Sequence, residues 1–127
     1  MLKITKNQLK IVDNMNFRSY TNNVMGISKE EQIEKISNLY KILGDKTRLK
    51  ILFCLLNKTC CVGEIVKEIG LSQSLVSHQL KVLREDNLVA TLKIKNRVQY
   101  TLADEHIEML ISTAKTHILE RINEETV

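Results

Sequence analysis

The apolar positions of this chain fall into five helical patterns and one pair of short β-prone runs. Ile33, Ile36, Leu39, Tyr40 and Leu43 recur at the three- and four-residue spacing of one helix face. Ser28 followed by Glu31 reads as a capping box that opens this helix, and Gly44 ends it. Asp45 predicts the cap of a second helix with Leu49, Ile51, Leu52, Leu55 and Leu56 as its apolar set, stopping near Asn57-Lys58. A third, short helix is predicted over 62–69, closed by Gly70. Ser72 caps a fourth, from Gln73 to about Glu85, with Val76, Leu80 and Leu83 pointing inward. Runs 88–94 and 98–102, joined by Lys95-Asn96-Arg97, predict a hairpin with Asn96 suited to a positive φ. A last helix starts after Asp104 and runs to about Asn123. Residues 1–28 are polar, Asn-rich and without period, which predicts a mobile arm with a short helix near 9–12. The sequence therefore predicts an arm over 1–28, a domain over 29–123 and a tail over 124–127.

Composition narrows the class. A chain of 127 residues is one domain's worth and can hold a core without staples. No run of ~18 apolar residues suggests a membrane span, and the first residues lack a signal peptide's apolar block. Three cysteines then suggest free thiols in a reducing cytoplasm. Zero Pro and four Gly argue against turn-dense all-β folds. The expected fold is mainly α with a small β-hairpin. A short helix, a Gly-containing turn, a second helix with a small polar outer face and a basic-tipped hairpin make a winged helix-turn-helix.

Charge points to a partner. The net charge is +4, but residues 72–103 carry five Lys/Arg against two acids, while residues 104–127 carry two against six. A basic middle suits an anionic partner such as double-stranded DNA. The outer face of the fourth helix carries Gln73, Ser74, Ser77 and His78, which are donors and acceptors near a helix N-terminus with nothing bulky to exclude a groove. Lys81 and Arg84 follow where phosphates would pass, and Lys95 and Arg97 at the hairpin tip could hold backbone or enter a minor groove.

The stretch from Asp45 to Glu120 resembles the ArsR/SmtB family of metal-responsive winged-helix transcriptional repressors. Three runs carry the likeness: Gly44-Asp45-Lys46-Thr47-Arg48-Leu49-Lys50-Ile51-Leu52, Cys61-Val62-Gly63-Glu64-Ile65, and the segment from Leu71 to Leu83. The resemblance implies a homodimer, formed through the first and last helices, that represses from a palindromic operator and loses affinity when metal binds. It also implies that Gln73, Ser74, Ser77 and His78 read bases.

The last helix holds a candidate metal constellation of Asp104, His106, His117 and Glu120. Eleven residues separate the two histidines, about three turns plus 20°, so they share a face but lie roughly 16 Å apart along the axis. His117 and Glu120 form an i,i+3 pair that can share an ion. Asp104 can converge with His106 if it occupies the cap. The two half-sites meet only when two copies of the helix run antiparallel, as in a two-fold dimer with two equal sites. The apolar stripe of Ile107, Leu110, Ile111, Ala114 and Ile118 borders them as the expected seam. Two imidazoles and two carboxylates favour tetrahedral Zn(II), with Co(II) or Cd(II) as substitutes. In zinc-sensing members of the family, the resemblance implies, this spacing is the inter-subunit zinc site, with the ion an allosteric effector.

The remaining chemistry is weaker. Cys61 and Glu64 fall where some family members carry a thiolate site, but Gly63 replaces its second Cys and no Cys or His precedes Cys54. Cys54 reads as core packing. The alternative function is a thiol- or redox-responsive winged-helix repressor using Cys60 and Cys61. An enzyme is not expected: His-Glu-x-x-His is absent, and four protein ligands close a zinc site. No small-molecule substrate is expected.

Overall fold

The computed structural model describes residues 26–126, so the short helix expected near 9–12 lies outside the described residues. The described residues divide into two units at the boundary between Ile42 and Leu43.

In the first unit, α1 runs from Lys29 to Leu43. The Glu31 amide donates to Ser28 Oγ at 3.2 Å, which is the expected cap. Glu30 and Glu31 in the first turn and Lys41 in the last complement the helix dipole. The helix buries none of its residues, and Ile33, Ile36 and Tyr40 are each more than half exposed.

The second unit opens with α2, Lys46–Cys54, whose N-cap Asp45 accepts from the Arg48 amide at 3.0 Å. It stops before the predicted Asn57. The Leu55 and Leu56 amides turn back to the Leu52 and Phe53 carbonyls, and Asn57 takes a left-handed φ of 61°. That tightening satisfies the last carbonyls and redirects the chain toward α3. Helix α3, Val62–Ile69, ends at Gly70, where φ is 71° and the amide donates to the Val66 carbonyl at 2.9 Å. A Cβ at Gly70 would meet nothing within 4 Å, so the backbone angle alone selects glycine. Helix α4, Gln73–Glu85, has Ser72 Oγ accepting from the Leu75 amide at 3.2 Å. At its C-terminus Asn87 stands at φ 60°, and the Leu88 amide returns to the Leu83 carbonyl at 2.8 Å. This is the Schellman arrangement, with Asn rather than Gly in the left-handed position.

Strands β1, Val89–Ile94, and β2, Arg97–Leu102, pair antiparallel from Val89 opposite Leu102 to Ile94 opposite Arg97. Lys95 and Asn96 both have positive φ, 50° and 63°. The link is therefore a two-residue turn of the type that matches strand twist, not the three residues expected, and Arg97 is the first residue of β2. A separate bridge joins Cys60 to Tyr100 through hydrogen bonds of 3.0 and 2.7 Å, tying the α2–α3 connection to the hairpin. Helix α5, Glu105–Thr126, continues three residues past the expected end at 123.

The core of this unit is apolar throughout. Ile51 and Leu52 of α2, Ile65 of α3, and Val76, Leu80 and Leu83 of α4 are fully buried. Leu102 of β2 and Ile107 and Ile111 of α5 close it, and no polar or charged residue among those described is buried. None of the described helices is long and apolar enough to cross a membrane. Leu80→Ala should lower the unfolding free energy by about 2–5 kcal/mol through the lost apolar surface and the cavity left behind. Gly70→Ala should cost about 1–2 kcal/mol through its left-handed backbone alone. Urea unfolding followed by circular dichroism measures both, and an unchanged midpoint for Gly70→Ala would contradict the backbone argument.

Candidate nucleic-acid interface and metal centre

The buried stripe of α4 decides what the helix shows outside. With Val76, Leu80 and Leu83 at 0% exposure, the residues one helical half-turn away must face solvent. Gln73, Ser74, Ser77, His78, Lys81 and Arg84 are all exposed, as the sequence predicts. Ser72 spends its hydroxyl on the cap, while the first-turn N–H groups beyond the capped one keep the partial positive charge that favours a phosphate. At the wing, Lys95 sits in the turn and Arg97 at the start of β2, both exposed. Arg97 thus projects from a paired strand, which holds its side chain on one face of the hairpin more firmly than a loop would.

One contact on α4 escapes sequence reasoning. Arg48 Nε of α2 donates to Gln79 Oε1 of α4 at 2.9 Å, in a part-buried position. Periodicity places Gln79 on neither the core stripe nor the outer face. A pair 31 residues apart leaves no local spacing to detect.

On α5 the four predicted ligands appear as two pairs. Asp104 is the helix cap: its Oδ1 accepts from the amides of His106 at 2.9 Å and Ile107 at 3.1 Å. The same oxygen lies 3.5 Å from His106 Nδ1, and both side chains are largely exposed. Capping brings the two together despite their two-residue spacing, and leaves Asp104 Oδ2 outside the cap bonds. His117 and Glu120 line one recess of about 390 Å³ with Ser112, Thr113 and Thr116. Among the described residues no three His, Cys, Asp or Glu side chains gather closely enough to hold an ion. One chain thus offers two donors at each end of the eleven-residue interval. Oxygen and imidazole nitrogen suit zinc chemically, and each pair is half a tetrahedral set. The expected apolar seam divides: Ile107 and Ile111 are spent in the chain's own core, while Ile118 is 55% exposed.

The thiols have structural surroundings. Cys54 and Cys60 are buried and Cys61 is partly exposed. Cys60 Sγ donates to the Cys54 carbonyl at 3.6 Å. Burial, reinforced by the Glu68 carboxylate, pushes the Cys54 thiol up to about 12, and burial raises Cys60 as well. Glu64, which the resemblance puts at the position of an auxiliary carboxylate, accepts from the Cys61 amide at 3.0 Å and closes a capping box on α3. That hydrogen bond holds its carboxyl below the usual range. Glu68 pairs with Lys58 at 3.0 Å on the surface.

Comparison with known proteins places this arrangement. The pattern of the bacterial regulatory proteins of the arsR family matches residues 45–91, from the α2 cap into β1. The chain is 31% identical over 90 residues to a transcriptional repressor SmtB homolog from Synechocystis, covering 71% of this chain and 68% of that protein. It is 38% identical over 72 residues to the HTH-type transcriptional regulator CmtR of Mycobacterium tuberculosis, of which it spans 61%. Reduced HlyU from Vibrio cholerae superposes with a TM-score of 0.62 at 37% identity, covering 66% of this chain and 88% of that one. The sequence match, the helix-turn-helix with its wing and the exposed polar face of α4 agree, and the chain belongs to the ArsR/SmtB family of winged helix-turn-helix transcriptional regulators.

Proposed function

We propose that this chain is a dimeric, zinc-responsive repressor whose hold on operator DNA weakens when Zn(II) binds between subunits on α5. The observation that supports it is the pairing on that helix: Asp104 with His106, and His117 with Glu120, each with half the ligands an ion needs. A two-fold related copy would complete both pairs at once. The exposed apolar residues Ile33, Ile36 and Tyr40 of α1, and Ile118, Leu119 and Ile122 of α5, are surface that such a dimer would cover. When bound, Zn(II) supplies a four-coordinate cross-link between terminal helices.

On this reading Asp104 does two jobs. Its Oδ1 holds the first turn of α5, and its second oxygen remains for coordination. His106 is kept beside it by the same turn. Gln73, Ser74, Ser77 and His78 read the major groove, Lys81 and Arg84 take phosphates, and Lys95 and Arg97 hold the backbone at the wing. Repression is the role of the Synechocystis relative and is proposed here for this chain. A cross-link that sets the two α4 helices at a spacing unsuited to the half-sites opposes DNA binding, and DNA must then weaken metal by the same factor.

The thiol-responsive reading has less support. Cys60 and Cys61 are neighbours in extended backbone, which sends their side chains to opposite sides, and Cys60 lies buried with its thiolate disfavoured.

Two measurements check these statements. Stoichiometric Zn(II) should lower affinity for a duplex selected by the protein by about 5–150-fold, or 1–3 kcal/mol. His106→Ala and His117→Ala should abolish that response while leaving metal-free DNA binding intact, and equal affinity with and without Zn(II) would refute the sensor. Iodoacetamide at pH 8 should add a single adduct to the native chain, at Cys61, and three after denaturation. Rapid native labelling of Cys60 would revive the thiol reading.

A further inference from the structure

We infer that Arg48 is a positioning residue for α4: its bond to Gln79 sets how far the helix is rolled about its own axis, and through that which duplex sequence the exposed face prefers. The inference rests on the reading of α4 as the DNA-reading helix.

The contacts that bury α4 settle its roll only to within a small rotation. Val76, Leu80 and Leu83 are fully buried, but apolar burial is non-directional and tolerates small rotations. A roll of about 20° moves a side-chain tip on a ~5–6 Å radius by roughly 2 Å. That displacement separates a base-edge hydrogen bond made from one missed. A hydrogen bond holds its donor and acceptor within a window of about half an ångström. The Arg48–Gln79 bond, at 2.9 Å, therefore adds a directional reference for rotation that the apolar core lacks.

Both ends of the bond are placed to do this. Gln79 follows His78 directly, about 100° around the helix, on the flank between the buried stripe and the exposed face. Arg48 sits in the first turn of α2, where its own amide is held by Asp45 Oδ2 at 3.0 Å. The anchor thus starts from a capped turn. Its guanidinium forms no ion pair among the described residues, and its acceptor is a neutral amide. An arginine placed there only for stability would more usually meet a carboxylate. The planar fork presents Nε in a fixed direction, which lysine's rotating ammonium cannot reproduce.

The test uses the full chain, a duplex selected from a random pool by the wild-type protein, and a scrambled duplex of the same length. Arg48→Lys and Gln79→Leu should each weaken the selected duplex about tenfold, leave the scrambled duplex unchanged and leave the salt dependence of both unchanged. Gln79→Glu, which keeps the acceptor oxygen, should retain the wild-type ratio of selected to scrambled affinity. Arg48→Lys and Gln79→Leu should keep the wild-type circular dichroism spectrum under the binding conditions, which separates rolling from unfolding. If Arg48→Lys and Gln79→Leu leave the ratio unchanged, the inference fails. If Arg48→Gln weakens both duplexes equally and lowers the salt slope, Arg48 is a phosphate contact and the inference fails too. A wild-type chain that enriches no sequence would instead remove the DNA reading on which the inference stands.

Discussion

Helix α4 is held by one face. Val76, Leu80 and Leu83 enter a core that holds no buried polar residue among those described, and that burial decides which side of the helix faces solvent. With those three positions fixed, the helical repeat turns Ser74, Ser77 and His78 outward, and Gln73 in the first turn is exposed beside them. The hairpin is set by the same core, because the α4 C-terminus turns through Asn87 directly into buried Leu88 and Val89. The exposed helix and the hairpin thus rest on one apolar cluster, to which the Arg48–Gln79 bond and the Cys60–Tyr100 bridge add directional contacts.

The candidate ligands on α5 obey a different constraint. Helical rise separates the two donor pairs by roughly 16 Å, so no rearrangement of side chains within one chain can merge them. Capping economises on donors, since one Asp104 oxygen holds the helix start and positions His106. On the proposed function, a site that one chain leaves incomplete would make occupancy depend on a second subunit and so couple the ion to the spacing of the two α4 helices. In contrast, the buried thiols are insulated by the same apolar packing that would have to be breached to use them.

Much of the architecture was legible because it was local. Asp45, Ser72 and Asp104 cap where their side chains predict, and Gly70 ends α3 with the left-handed angle only glycine adopts cheaply. The misses were also local, but ambiguous. Helix α2 closes at Cys54, ahead of the stop expected near Asn57, because Leu55 and Leu56 tighten the last turn before Asn57 takes its positive φ. The hairpin link shortened by one residue because Lys95, a poor candidate for positive φ, adopts it to match strand twist. The capping box that Glu64 closes on α3 went unread, because cysteine is a less usual cap than serine or threonine.

By itself, the sequence determined the order of elements, the outward face of α4 and the two donor pairs of α5, since each depends on periodicity and spacing along one helix. Only the tertiary structure decided which apolar residues of α5 serve the chain's own core, as Ile107 and Ile111 do, and which remain outside, as Ile118 does. It alone also brought Arg48 to Gln79. Both outcomes turn on which helices pack together and at what roll, and contacts between distant segments leave no periodic trace in the chain that makes them.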